Sequence, residues 1–187
     1  MKPLDGAMIK SVMLVVALFL AAMMPAFADP LTDVKAASVK FAALKSYRST
    51  IIEPDGRTMQ GEMVNPDRSH MTAGSIQIIS IGDAIYIKTG GAWKKGALAA
   101  MSTGQRAFQK LYGNLPPTAV VRDLGMKTVD GNALHAYFVQ ASPKDQASTI
   151  YIDGGGMPSR FEAMDPSGTT VVHLYDFNAP ISIVAPL

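Results

Sequence analysis

The sequence predicts an α+β domain: a curled antiparallel sheet of about ten or eleven strands wrapped around two amphipathic helices. Three observations lead there. Short β-rich runs recur roughly every 8–12 residues, separated by turn residues, the pattern of a sheet built from hairpins. Two stretches, 31–46 and 97–117, instead repeat apolar residues at helical spacing. An open, twisted sheet of about ten strands curls or splits, and the two helices are the available filling for its hollow.

The first 28 residues read as a secretory signal. Lys2 and Lys10 precede an apolar run from Val12 to Met24, and Ala26-Phe27-Ala28 fits the small-x-small cleavage rule. Met8-Ile9-Lys10 offers a second, more compact start. The apolar run has 13 residues and is closed by Pro25, short of the roughly 20 that a spanning helix needs. Cleavage would leave one domain, 29–187, starting at Asp29.

The first helix follows over 31–46. Leu31, Val34, Ala37, Phe41 and Leu44 share a face, and Asp33 suits the positive end of the helix. Strands then come in order: Tyr47–Glu53 up to Pro54-Asp55-Gly56, Arg57–Val64 up to Asn65-Pro66-Asp67, Ser69–Thr72, Ile76–Ile81 and Ala84–Lys88. In Ala84–Lys88, Ile85 and Ile87 share one face and Tyr86 and Lys88 the other. In Ile76–Ile81, Ile78, Ile79 and Ile81 put apolar groups on both faces, which fits either a bulge or cover from both sides. Trp93 falls where the next strand or the second helix begins.

The second helix, over 97–117, has a Ser102–Gln105 capping box, an apolar face of Met101, Phe108, Leu111 and Tyr112, and a stop at Gly113 and Pro116-Pro117. Strands resume at Ala119–Leu124, Lys127–Val129, Ala133–Gln140, Thr149–Ile152, Arg160–Met164, Thr169–Phe177 and a short Ile181–Val184. Asp130-Gly131, Asp153 to Gly156 and Pro166-Ser167-Gly168 are the turns.

Composition excludes several functions. Residues 29–187 carry 15 basic and 14 acidic side chains, a formal charge of +1, whereas nucleic-acid binders show a clear basic excess. There is no cysteine, hence no disulfide, no thiolate metal site and no residue to carry a lipoprotein's lipid. No Gly-x-Ser-x-Gly elbow is present. His70, His135 and His173 sit singly in strands, without local metal-ligand spacing; His135 and His173 retain the option of meeting across strands. Asp153-Gly154-Gly155-Gly156 lacks the endings of phosphate and calcium loops and reads as a hairpin. No general acid–base pair, cofactor motif or metal site emerges, so no enzyme is expected. The 12 methionines either fill core gaps or form an adaptable apolar surface.

The order of elements resembles the LolA/LolB/LppX family of periplasmic lipoprotein and lipid carriers. The likeness runs through FAALKSYRSTI, GEMVNPDRSHM, IISIGDAIYIKTGGAW and, best, TIYIDGGGMPSRFEAMDPSGTTVVHLYDFNAPISIVAP with its closing Asp-Phe-Asn-x-Pro-x-x-Ile-x-x-Pro. It implies an incomplete β-barrel around helices, with an apolar cavity under a helical lid, the lid here being 97–117. It implies a soluble, non-catalytic periplasmic carrier or binder of the acyl chain of a lipoprotein or lipid. A membrane-bound donor or acceptor protein is a further implied partner, nucleic acid is not one, and a monomer is expected. One parity of each strand would line the hollow: Ile85, Ile87, Leu134, Phe138, Val172 and Leu174, with Phe108 and Leu111 from the lid. Where the best-known carrier of that family has an arginine before the strand proline, a lid latch, this sequence has Asn65; Arg68 stands three residues on and, with Trp93, is the candidate rim or latch. The alternative is an envelope sensor or protein-interaction module on the same fold.

Overall fold

A computed structural model describes residues 29–96 and 115–186. The leader over 1–28 and nearly all of the second helix, with its Ser102–Gln105 cap, Phe108 and Leu111, lie outside the described residues.

Helix α1 spans Pro30–Ala42, with proline in its first turn, Asp33 at its positive end and Lys40 near its negative end. It buries Val34, Ala37 and Phe41. It stops four residues before the end its apolar spacing suggests, because the next backbone groups find other partners. Asn65 Nδ2 donates to Leu44 O at 2.7 Å, and Lys45 N donates to Asn178 Oδ1 at 2.8 Å.

Eleven strands follow: β1 (Ser46–Ile52), β2 (Thr58–Val64), β3 (Arg68–Ala73), β4 (Ile76–Ile81), β5 (Ala84–Thr89), β6 (Ala92–Gly96), β7 (Val120–Val129), β8 (Asn132–Gln140), β9 (Ser148–Ile152), β10 (Pro158–Asp165) and β11 (Gly168–Tyr175). They form one sheet in the order β6-β5-β4-β3-β2-β1-β11-β10-β9-β8-β7. Two hairpin series, β1–β6 and β7–β11, are joined by the antiparallel β1–β11 pair. β6 and β7 are the two ends of the order and do not pair, so the sheet stays open. It curls around α1, which touches both β10 and β7, three strands apart. Across that curl, Tyr137 Oη donates to Asp33 Oδ2 at 2.9 Å and Lys40 Nζ donates to Gly155 O at 2.7 Å.

The core lies between α1 and the inner face of the sheet. One cross-strand row, Tyr137, Ile150, Phe161, Val172 and Ile51, runs in register through five strands. All five side chains are buried, and Phe161 is fully so.

Two expected strands differ. Ala119–Leu124 and Lys127–Val129 are a single strand, β7, with a bulge between Asp123 and Gly125; Gly125 takes φ 74° there. Ile181–Val184 is not a strand. Asp176 and Asn178 adopt positive φ and turn the chain out of β11. The closing segment then straps the ends of β1 and β3. Asn178 N donates to Ser46 O at 2.8 Å, Ser46 Oγ to Ala179 O at 2.5 Å, and Arg68 Nη1 to Ile183 O at 2.9 Å.

Candidate functional site

Pairing register fixes which side chains share the inner face, since opposed residues of neighbouring strands point the same way. A second inner row runs Leu174, Ser49, Gly61, Met71, Ile78, Ile87. A third runs Tyr47, Met63, Ser69, Ser80, Ile85. Tyr47 packs against Phe41 of α1 in a tilted ring pair with centroids 4.7 Å apart, which identifies the face. Burial pushes the Tyr47 hydroxyl pKa up.

This face changes character along the sheet. Under α1 the side chains of β1 and β8–β11 form a continuous buried cluster. Met59, Met63 and Met71 pack on its margin, half-buried. Beyond them Ile78 and Ile87 are half-buried too, although their row stays apolar, and Ile85 is buried. The three methionines were not among the expected lining residues. The signal was there: Met59, Gly61 and Met63 alternate in Arg57–Val64, and all three stand on the inner face.

The expected lining residues therefore separate. Ile85, Ile87, Val172 and Leu174 share the inner face, the last two as part of the core under α1. Leu134 and Phe138 lie on the reverse face. Register puts Leu134 opposite Lys127 and Phe138 opposite Arg122 and Thr149, while Tyr137 and Val139 point inward. The chosen parity of β8 is off by one residue, which transfers every side chain of a strand to the other face. Phe138 lies 4.1 Å beneath the Arg122 guanidinium, and Leu134 lines a reverse-face cavity of about 570 Å³ with Asp130, Arg160, His173 and Tyr175. Phe108 and Leu111 lie outside the described residues.

The rim candidates are also placed. Arg68 holds the C-terminal segment through Ile183 O. Trp93 is on the reverse face of β6, with Lys88 Nζ 5.9 Å from its ring centroid. Asn65, at the latch position, donates to Leu44 O, two residues past the end of α1. β4 keeps an unbroken register with both neighbours. Its apolar residues on both faces are therefore not a bulge: Ile78 faces inward, and Ile79 is buried on the reverse face between His70 and Tyr86.

Each histidine faces one carboxylate. His135 Nε2 lies 2.6 Å from Asp123 Oδ1, His70 Nδ1 3.7 Å from Glu62, and His173 Nδ1 3.8 Å from Asp130. His135 points inward and His173 outward, so the two do not meet. At the inner rim, His135 stacks on Tyr137, whose hydroxyl pKa is pushed up by burial and by its bond to the Asp33 carboxylate. The Gly125 N–H and then His135 hold Asp123 below the usual carboxylate range. On the reverse face Arg160 pairs with Glu162 at 2.8 Å and Asp130 at 3.0 Å. Burial, and then this guanidinium, push the His173 pKa down. Among the described residues, no group of three or more acidic or histidine side chains could hold a metal ion. No described helix is long and apolar enough to cross a membrane.

No family model and no curated protein matches the sequence. Solved structures do match. The lipoprotein LppX of Mycobacterium tuberculosis superposes with a TM-score of 0.59 over 84% of this chain and 100% of its own, at 16% identity. LprF of Mycobacterium bovis gives 0.59 over 83% and 95%, at 13% identity. The chain has the LppX-like fold. At these identities the likeness is one of fold. It agrees with the incomplete barrel expected from the sequence, whose open edges are β6 and β7.

Proposed function

We propose that this chain is an exported, non-catalytic carrier or binder of acyl chains, from a lipoprotein or a lipid, which lie on the inner face of β3–β5. One observation carries the reading: the apolar inner row continues past the core under α1, and there Met71, Ile78 and Ile87 are only half-buried. An apolar row left partly open is a surface that gains by being covered. The LppX-like fold and the family resemblance support the same reading. Shielding matters because each methylene contributes about 0.8 kcal/mol, so a 16-carbon chain needs on the order of 12 kcal/mol of cover to cross water. Binding alone meets that need, and a periplasmic location follows from the expected cleavable signal.

Native mass spectrometry of protein purified from its own cell envelope tests this directly. Adducts with lipid or acylated-peptide masses are expected, and added fatty acid should displace an environment-sensitive apolar dye. Ligand-free protein that also ignores fatty acids, phospholipids and acylated peptides would overturn the reading.

A further inference from the structure

We propose that Met71, seated over Gly61, is the end-stop of the hollow and sets the length of acyl chain it accepts. This rests on the acyl-chain reading above. Met71 on β3 is opposed by Gly61 on β2 and Ile78 on β4. Gly61 is buried and has ordinary strand conformation, so its lack of a side chain answers to space rather than to backbone freedom. A Cβ built on Gly61 would stand 2.9 Å from Met71 Sδ and would overlap Ser49 Oγ. The thioether therefore lies flat across β2, filling the place a side chain would take.

That position is the seam of the inner face. On the β1 side lies the closed core, to which Met71 is marginal. On the other side the row continues to Ile78 and Ile87. The same device recurs at the far end: a Cβ on Gly96 of β6 would stand 2.6 Å from Ile87 Cδ1, so Ile87 folds over that glycine. Met71 and Ile87 thus each rest on a glycine of the neighbouring strand. Of the two, methionine is unbranched and has more rotatable bonds, so it is the one able to yield.

Saturated fatty acids of about 10 to 18 carbons, competed against an apolar dye, test the proposal. Met71→Ala removes three heavy atoms and should move the tightest-bound length up by about two carbons. At roughly fourfold per methylene, affinity for the longest chains should then rise about fifteenfold. Gly61→Ala, which lifts the thioether into the row, should move the optimum down. Met71→Leu conserves volume and should leave it in place, as should Thr72→Ala on the reverse face. If the unaltered protein shows a length optimum and Met71→Ala leaves it unmoved, the end-stop is overturned while the carrier reading stands. If the unaltered protein binds no fatty acid at any length, both fall.

Discussion

The two halves of the inner face both carry apolar residues at alternate positions, the second interrupted by Ser69 and Ser80, and they end in different states. Under α1, on β1 and β8–β11, Phe161 and Val139 are 0% exposed and Ile150 1%. From β3 to β5 the row through Met71, Ile78 and Ile87 is half-buried. Among the described residues, the first half has a helical cover. Val34, Ala37 and Phe41 of α1 close the first half, and α1 reaches β10 and β7 at the other end of the sheet. An apolar strand pattern thus records which residues turn inward, and the packing of a separate element decides how far the face is buried.

Paired truncations should break or confirm this contrast with the largest effect. Phe161→Ala should cost about 3–5 kcal/mol, the range for an aromatic lost from a closed core. Ile87→Ala should cost about 1 kcal/mol, because part of its surface already meets solvent. Urea unfolding midpoints at constant m-value give both numbers. Equal costs would mean that the β3–β5 half is as closed as the other.

Next in size is the response to ligand. Fatty acid at about 100 times its Kd should raise unfolding free energy by about 2.7 kcal/mol through mass action. Under the proposed reading, the extra amide-exchange protection should fall on β4 and β5 and leave β10 unchanged. Protection confined to β10 would place the ligand in the wrong half.

A smaller effect tests how firmly α1 is tied to its half. Tyr137→Phe removes the 2.9 Å bond to Asp33 and should cost about 1 kcal/mol, the typical net value of such a bond. Exchange should quicken at the start of α1 and stay the same in β4. A thermal midpoint identical to that of the unaltered protein would show that apolar packing alone seats the helix.

Most of the architecture was legible in the sequence, because hairpin turns and period-two strands are local signals. Ile76–Ile81 was placed to the residue, and the Asp130-Gly131 turn was found. The errors arose where distant residues decide. Helix α1 ends early because Asn65 and Asn178, far along the chain, take the backbone groups of Leu44 and Lys45 just past it. Ile181–Val184 is apolar enough for a strand, but Ile183 O accepts from Arg68, and Ala179 O just before it accepts from Ser46, both at strand ends and not along a sheet edge. The site was half legible. In β8, Leu134, Ala136, Tyr137 and Val139 are all buried, so both faces are apolar and burial pattern alone does not identify the inner parity. Only the pairing of Tyr137 with Ile150, and its reach to Asp33, does so.

The smallest predicted effect concerns acid, and it too should separate the halves. Asp123 is held below the usual carboxylate range in the folded state, first by the Gly125 N–H and then by His135. A carboxylate with a depressed folded pKa contributes stability that is fully present above its unfolded pKa, near 3.9. That contribution is lost as pH falls through the lower folded value. Exchange protection at the β7 bulge should therefore weaken below about pH 4, while β4 and β5, which do not touch this pair, lag behind it. Asp123→Asn keeps an acceptor for the Gly125 N–H and removes the titration. Its β7 protection should be lower at neutral pH and flat through the acid range. An Asn variant that loses β7 protection with the same pH midpoint as the unaltered protein would show that another group fastens this edge, and that the curl over α1 is held by packing without Asp123.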